Sequence, residues 1–402
     1  MSEYEGYEKV LQEQLKGLLS TQKPIVLFGA MALGQMAQRT VHFFGKKAVC
    51  FCDNDKTKQG KIVDGLTVLS PEQVKKQYPN AKIYICLHNN NSTAKVASQL
   101  KALKFTDIYN RDMLFWAYQI YVVKRSVSSY DLAETMNIFN DRENRTILGN
   151  VSVVITEKCT LRCIDCGVFI PYYKHPKHHD KDKIIEGMRK LSQIVDAIEN
   201  FTIIGGEPLL HKDLVEICEE ASKLKNVLRV TITTNGTIVP KDSVLQSLSR
   251  AITYLTISDY GSLSINKDLL KKSLDQFGIY CNVLDEFSEW SKQNIPKPHN
   301  RGENENTRIF KSCFWVGIAA KLMNGQYHLC DFSAAVTPFN GIPENEGDYV
   351  DLLDSTLSID EIRAKLHKLL YHTDCLKACD YCEIFQMPPT IRAAQTKEIL
   401  VF

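Results

Sequence analysis

One decapeptide constrains this chain more than any other stretch: Glu157-Lys158-Cys159-Thr160-Leu161-Arg162-Cys163-Ile164-Asp165-Cys166. Its three cysteines, at spacing C-x3-C-x2-C, follow directly on the apolar, β-type run Val151-Ser152-Val153-Val154-Ile155-Thr156. A loop leaving the end of a strand can turn three thiolates toward one point. Three thiolates can hold three irons of a cubic [4Fe–4S] cluster, leaving the fourth iron without a protein ligand and open to a substrate or cofactor. Zinc is the competing reading, but a structural zinc site wants four ligands, usually in C-x2-C or His-containing pairs. A disulfide framework suits a chain of this type less.

Further elements follow in order. Ile203-Ile204-Gly205-Gly206-Glu207-Pro208 ends a second apolar run, Thr233-Thr234-Asn235-Gly236-Thr237 a third, and Ile257-Ser258-Asp259-Tyr260 a fourth. Together with the cysteines they resemble the radical S-adenosylmethionine (SAM) superfamily over roughly residues 149–390. The chain departs from that signature at Asp165, where an aromatic residue commonly precedes the last cysteine; the ligands are intact, but what packs beside the cluster changes. The resemblance implies that Cys159, Cys163 and Cys166 hold a [4Fe–4S] cluster whose open iron binds the amino and carboxylate groups of SAM. Reductive cleavage would then give methionine and a 5′-deoxyadenosyl radical. Gly205 and Gly206 would let the backbone approach the methionine part, and Glu207 would accept from its ammonium. Asn235, Ser258 and Asp259 would serve the ribose and carboxylate.

From residue 149 the pattern alternates: strands over 151–156, 200–204, 228–233, 252–258 and 279–284, with helices over 182–199, 211–224, 242–250 and 266–277. Such β/α units place active sites at the strands' C-terminal ends, and the family's partial (β/α)6 barrel fits them. Residues 285–310, polar and containing Pro296, Pro298 and Gly302, read as a loop or irregular crossover. The basic run around His175, His178 and His179 reads as a solvated loop or a patch for an anionic substrate.

A second cysteine set lies further on. Cys313 and Cys330 bracket a hairpin turning at Asn324-Gly325, and Cys375, Cys379 and Cys382 follow. This resembles the SPASM and twitch auxiliary-cluster domains. Five cysteines suit one further [4Fe–4S] cluster, with Cys313, Cys330, Cys379 and Cys382 as ligands. Cys375 is the spare or a substitute for Cys379, and zinc is the competing occupant. Cys50, Cys52, Cys86, Cys218 and Cys281 fall on apolar segments and read as small core residues.

The N-terminal part is different. Residues 4–20 carry apolar residues at helical spacing. Pro24–Gly29 reads as a strand, and Gly29-Ala30-Met31-Ala32-Leu33-Gly34 is a G-x-G-x-x-G pattern with Met31 at the middle glycine. Strands at Ala48–Cys52 and Lys82–Cys86 follow, and Asp53 stands where a ribose-binding acid belongs. The alternation argues a Rossmann-like doubly wound domain over about 22–110, resembling those of sugar-modifying and capsule-biosynthesis proteins. Gly29, Gly34 and Asp53 would hold a nucleotide-linked ligand; the alternative is a domain that only positions a partner or substrate. The expected organisation is α/β throughout: 1–110 Rossmann-like with a leading helix, 111–148 a helical linker, 149–300 the barrel and 301–402 the twitch/SPASM-like domain.

With 402 residues the chain can bury several cores. A net charge of +2 gives no electrostatic case for nucleic acid or a membrane surface, and no apolar run reaches the ~20 residues of a spanning helix. Thirteen cysteines, an odd number clustered late, point to metal ligation in a reducing, cytoplasmic compartment. The expected activity is oxidation, or another modification, of a carbohydrate or nucleotide-linked sugar alcohol. A small-molecule substrate and a reductant such as flavodoxin or ferredoxin are implied as partners. The alternatives are maturation of a ribosomally made peptide by epimerisation or cross-linking, and a non-catalytic binding protein on the same scaffold. Tyr260 and Cys375 are the candidate catalytic residues.

Overall fold

The computed structural model describes residues 15–401 except 19, 31, 88–89, 111–113, 115–116, 118–137, 139–143, 285–289, 293–294, 314, 318 and 384–388. The chain divides into two compact units, residues 1–127 with 131–141 and residues 128–130 with 142–402.

The first unit runs β1 (Ile25–Phe28), α1 (Ala32–Phe43), β2 (Ala48–Cys52), β3 (Ile62–Val63), β4 (Leu66–Leu69), α2 (Pro71–Gln77), β5 (Lys82–Ile85), α3 (Asn90–Ala102) and β6 (Ile108–Asn110). Its sheet order is β3-β4-β2-β1-β5-β6. All neighbours are parallel except β3, which turns back on β4. Counted along the chain, the parallel strands lie in the doubly wound order 3-2-1-4-5, which reverses between β1 and β5. Every residue of those two central strands is buried, as a sheet covered on both faces requires. Two expected glycines have steric reasons. Gly29 has φ +105° and a Cβ there would lie 2.8 Å from the Cys86 carbonyl; one at Gly34 would lie 1.9 Å from the Gly29 carbonyl. Asp53 is buried and turned inward, accepting from Ala30 N (3.2 Å) and Asp55 N (3.0 Å). Its carboxylate therefore holds the N–H that opens the β1–α1 turn. Met31 lies outside the described residues. So do most of the leading helix and the linker, of which Leu15, Leu18, Leu114 and Ala117 are helical and buried.

The second unit contains β7 (Ile147–Thr156), α4 (Lys181–Ile194), β8 (Ala197–Gly205), α5 (Leu214–Ser222), β9 (Val230–Thr234), α6 (Asp242–Ala251), β10 (Tyr254–Ser258), α7 (Lys267–Gln276), β11 (Cys281–Leu284), β12 (Trp290–Ser291), α8 (Glu303–Ser312), β13 (Ala320–Met323), β14 (Gln326–His328), α9 (Asp331–Val336), β15 (Tyr349–Asp351), α10 (Ile359–Tyr371) and β16 (Pro389–Thr390). The main sheet runs β11-β10-β9-β8-β7-β13-β14-β15. Five β/α strands stand in chain order, and β13 adds a sixth parallel strand on the β7 edge. The β13–β14 hairpin turns at Asn324 and Gly325, φ +51° and +82°, as a two-residue primed turn demands.

Helix packing follows from the sequence. Asp180 caps α4 by accepting from Lys183 N (3.0 Å), and Ile184, Ile185, Met188, Leu191 and Ile194 line its buried face. Ser358 and Glu361 form a capping box on α10. The sequence pattern missed α8, most of which lies within the stretch expected to be irregular. Gly302 opens it, Glu303 and Glu305 favour its first turn and Lys311 its last, but Asn306 is its one buried residue, so it carries no apolar stripe to read. No described helix is long and apolar enough to cross a membrane.

Candidate metal centre

Parallel pairing brings the C-terminal ends of β7, β8, β9 and β10 side by side, and the four sequence elements meet there. The cysteine loop leaves β7. A Cβ on Gly205 would sit 2.3 Å from the Thr156 carbonyl, and one on Gly206 2.4 Å from the Lys158 carbonyl. Gly206 N and Glu207 N bond those same two carbonyls at 2.9 and 2.8 Å. The glycines thus let the end of β8 lie directly against the root of the cysteine loop.

Glu207 is 0% exposed. Its carboxylate accepts from Leu209 N (3.0 Å), Thr234 Oγ1 (2.8 and 2.9 Å) and Asn235 N (2.9 Å), tying β8 to the end of β9. Burial nevertheless raises its pKa, opposed by those donors. Three donors leave one lone-pair direction of the carboxylate for any ligand. Asn235 points at the loop: its Nδ2 donates to Thr160 Oγ1 (3.0 Å) and toward Cys159 Sγ (3.6 Å). Asp259 pairs with Lys267 (2.6 Å) and accepts from Gly261 N (2.9 Å). The Ser258 carbonyl accepts from Ser264 Oγ (3.3 Å). Tyr260 is close enough to Cys163 and Cys166 for their charges to act on it. Burial pushes its hydroxyl up to about 12, and the Arg392 guanidinium lies 5.3 Å from its ring centre.

The three thiols share a desolvated loop. Burial lifts Cys159 to about 12 and Cys163 to about 11, and raises Cys166 as well. Smaller repulsions within the trio act the same way, Cys163 and Cys166 on Cys159, and Cys166 on Cys163. N–H groups oppose this at each sulfur: Leu161 N at Cys159 (3.4 Å), Gln395 Nε2 at Cys163 (3.1 Å), and the Val168 and Ile170 amides at Cys166. Donors aimed at sulfur fit thiolates bound to metal. Among the described residues, no three His, Cys, Asp or Glu side chains lie at single-ion spacing; an iron cube holds its thiolates farther apart. In place of an aromatic at position 165, Phe169 is buried just beyond Cys166, its N–H on the Cys166 carbonyl (2.9 Å) and its ring 5.4 Å from Tyr172.

Of the histidine run, expected as a solvated loop or a patch for an anionic substrate, His175 is exposed, His178 half-buried and His179 buried. His179 is 4% exposed, with Nδ1 2.6 Å from Asn324 Oδ1 and Nε2 3.5 Å from Glu157, itself 8% exposed. Residues 177–179 bond back to the end of β7 through Glu157 N, which donates to Lys177 O (2.9 Å), and His179 N, which donates to Ile155 O (2.9 Å). A small cleft lined by Thr156, Glu157, Tyr173, Gly205 and Lys321 lies inside this end of the sheet. Lys321, 4% exposed, pairs with Asp331 at 2.5 Å and acts on the Cys166 thiol. A lysine within a buried strand was the available signal for this pair, and hydrophobic periodicity passes over it.

The later cysteines also gather. Cys379 and Cys382 both act electrostatically on Cys330, and burial raises the Cys330 thiol and lifts Cys379 to about 12. The 3₁₀ turn Lys377–Tyr381 that carries Cys379 is clamped from two sides. Asp348 accepts from Lys377 N (2.7 Å) and Ala378 N (2.9 Å), and Arg301 Nη1 donates to the Cys379 and Cys382 carbonyls (3.0 and 3.2 Å). Cys313 caps the end of α8, which packs on this turn. Cys375 lines a cavity of about 430 Å³ with Arg301, Glu303, Lys377, Asp380 and Tyr381.

A parallel β/α sheet whose strand ends converge on a three-cysteine loop is the arrangement expected of an iron–sulfur enzyme of the SAM-cleaving kind. Residues 153–259 match the radical SAM superfamily, a family that uses a [4Fe–4S] cluster and SAM. Among curated proteins, GTP 3′,8-cyclase of Limosilactobacillus fermentum is 31% identical over 93 residues, 23% of this chain and 27% of the relative. The Lactiplantibacillus plantarum GTP 3′,8-cyclase is 31% identical over 153 residues, 37% and 43%. Molybdenum cofactor biosynthesis protein 1 of Dictyostelium discoideum is 33% identical over 205 residues, 48% and 28%. The chain thus spans less than half the length of each of these relatives. Among solved structures, BtrN in complex with AdoMet and 2-DOIA aligns with TM-score 0.37 at 16% identity, over 58% of this chain and 92% of that one.

Proposed function

We propose that this radical SAM enzyme holds its [4Fe–4S] cluster on Cys159, Cys163 and Cys166 and oxidises a carbohydrate or nucleotide-linked sugar alcohol. When bound, the cluster and SAM supply a 5′-deoxyadenosyl radical that takes a hydrogen atom from the substrate. The chain's residues orient and dry the site. Gly205 and Gly206 bring β8 against the loop, Glu207 locks β8 to β9, and Asn235, Ser258 and Asp259 stand at the neighbouring strand ends for the ribose and carboxylate of SAM. Lys321, paired with Asp331, and Tyr173 line the small inner cleft beside the loop.

The observation that carries the oxidation reading is the gathering of Cys330 with Cys379 and Cys382 of a clamped turn, with Cys313 at the end of the helix packed on it. A second [4Fe–4S] centre with four cysteine ligands has no open iron and suits electron acceptance rather than substrate ligation. Two of these relatives are named for a nucleotide, GTP, and the doubly wound first unit agrees with a nucleotide-linked substrate class.

The test is product mass after anaerobic incubation with SAM, a flavodoxin- or ferredoxin-type reductant and a set of nucleotide sugars. Loss of two mass units supports oxidation. A mass-neutral product that takes up one solvent deuterium, from a peptide substrate, would replace this reading with epimerisation.

A further inference from the structure

The last described segment of the chain lies along the cysteine loop. Ile164 N donates to Ala394 O (2.7 Å), Thr396 N to Arg162 O (2.9 Å), Arg162 Nη2 to Glu398 O (3.0 Å), and Leu400 N to Pro171 O (3.0 Å). Cys163 and Gln395 face each other as an isolated antiparallel bridge at the centre of this strap.

Gln395 is an exposed residue, yet its amide turns inward. Oε1 accepts from Arg162 N (2.7 Å), while Nε2 donates to Ala393 O (2.6 Å) and to Cys163 Sγ (3.1 Å). The orientation is determined chemically. Arg162 N can only donate and Ala393 O can only accept, so a flipped amide would lose both bonds. An N–H must therefore face the sulfur, and Cys163 is only 8% exposed.

We propose that Gln395 is a positioning residue that raises the reduction potential of the [4Fe–4S] cluster through its hydrogen bond to the Cys163 sulfur. The proposal rests on the assignment of Cys159, Cys163 and Cys166 as cluster ligands. An added electron increases negative charge on the cluster sulfurs, and an N–H donor stabilises that reduced state more than the oxidised one. Hydrogen bonds to sulfur are among the levers that set such potentials. The strap on either side holds the donor in place, and Ala393, at φ +52°, bends the chain into that path. A segment more than two hundred residues from the cysteines in sequence would thus tune how easily the cluster they hold accepts the reducing electron.

The test uses the full chain, reconstituted anaerobically, as parent, Gln395→Glu and Gln395→Leu. Iron content is measured first. The midpoint potential is then followed by electron paramagnetic resonance, on the signal that added SAM perturbs. Both variants are expected to keep the parent's iron and to shift to lower potential, Gln395→Glu further because it also places a negative charge by the sulfur. An unmoved or raised midpoint in both variants overturns the proposal. Loss of the SAM-responsive cluster from both also overturns it, because the strap would then hold the loop together rather than tune it. A parent that assembles no SAM-responsive cluster instead refutes the ligand assignment on which the proposal stands.

Discussion

The two cysteine regions of the second unit are built in opposite ways. The first places Cys159, Cys163 and Cys166 on one loop at the end of one strand, and neighbouring strand ends supply the groups around them. The second draws on a helix end (Cys313), the N-cap of α9 that follows the hairpin (Cys330) and a clamped turn (Cys379, Cys382). A local site can form as soon as its strand is paired. A dispersed one needs the hairpin, α8 and the Asp348 and Arg301 clamps in place first.

Iron analysis gives the largest expected effect. The intact chain, reconstituted anaerobically, should bind about eight irons in two four-iron cubes. Replacing Cys159, Cys163 and Cys166 together with Ala should leave about four and abolish 5′-deoxyadenosine formation. Cys330→Ala should likewise leave about four, yet still cleave SAM while losing the oxidised product. An intact protein with about four irons and zinc for the balance would reduce the comparison to one redox site and one structural site.

Glu207 tests the packing beneath the first region. Glu207→Ala leaves Leu209 N, Asn235 N and the Thr234 hydroxyl without their acceptor in a buried site. At about 1–3 kcal/mol for each unsatisfied group, partly offset by relaxation, the expected destabilisation is about 3 kcal/mol by urea unfolding. SAM affinity should fall by about 1.5–3 kcal/mol if the remaining lone pair meets the ammonium. A variant as stable as the parent would mean that the β8–β9 tie is dispensable; unchanged calorimetric SAM binding would remove Glu207 from the ligand set.

The contrast also explains what the sequence made legible. The cysteine loop, the two glycines and the strand-end segments could be read because each is a short contiguous stretch with its own spacing, and the β/α period of the elements between them is strong. The doubly wound first unit was legible for the same reason. What escaped depends on contacts between distant segments: Arg301 and Asp348 on the second cysteine turn, Lys321 with Asp331, and Gln395 on Cys163. None of these has a sequence period. The polar helix α8 was missed because its stability comes from end charges and docking rather than an apolar face. The Glu157–His179–Asn324 contacts were hidden because a run of histidines and lysines looks solvated until the β7 end folds over it.

Asp259 offers a smaller effect, with a defined sign. Its hydrogen bond to Lys267 holds the carboxyl below its ordinary value, with the Gly261 N–H and Arg392 assisting against burial. A depressed folded-state pKa stabilises the protein above the unfolded value, near 3.9, and the contribution is lost as pH falls through the folded value. Asp259→Asn should therefore cost about 0.5–1 kcal/mol at neutral pH, the range of a partly exposed pair, with the difference from the parent shrinking on acidification. A difference that grows toward low pH would contradict the pairing. A loss of SAM affinity beyond the stability change would support the expected contact with the adenosyl part.

The smallest effect is expected at the spare cysteine of the second region, and it bears on the chemistry most directly. Cys375 lines a cavity beside Arg301 and Lys377 and lies close enough to Cys379 to influence its ionisation. If Cys313, Cys330, Cys379 and Cys382 are the four ligands, Cys375→Ala should leave iron at about eight per chain and the two-unit mass loss intact. If Cys375 replaces Cys379, the same substitution should lower the iron content, and Cys379→Ala should spare it. An epimerisation would behave differently again, because there the substrate radical must gain a hydrogen atom, and a thiol outside the cluster is a suitable donor. Cys375→Ala would then keep its iron and still consume SAM, but accumulate no epimer, with solvent deuterium absent from the substrate. Retained iron with an unchanged oxidised product is the outcome expected from an oxidase whose second centre is already fully ligated.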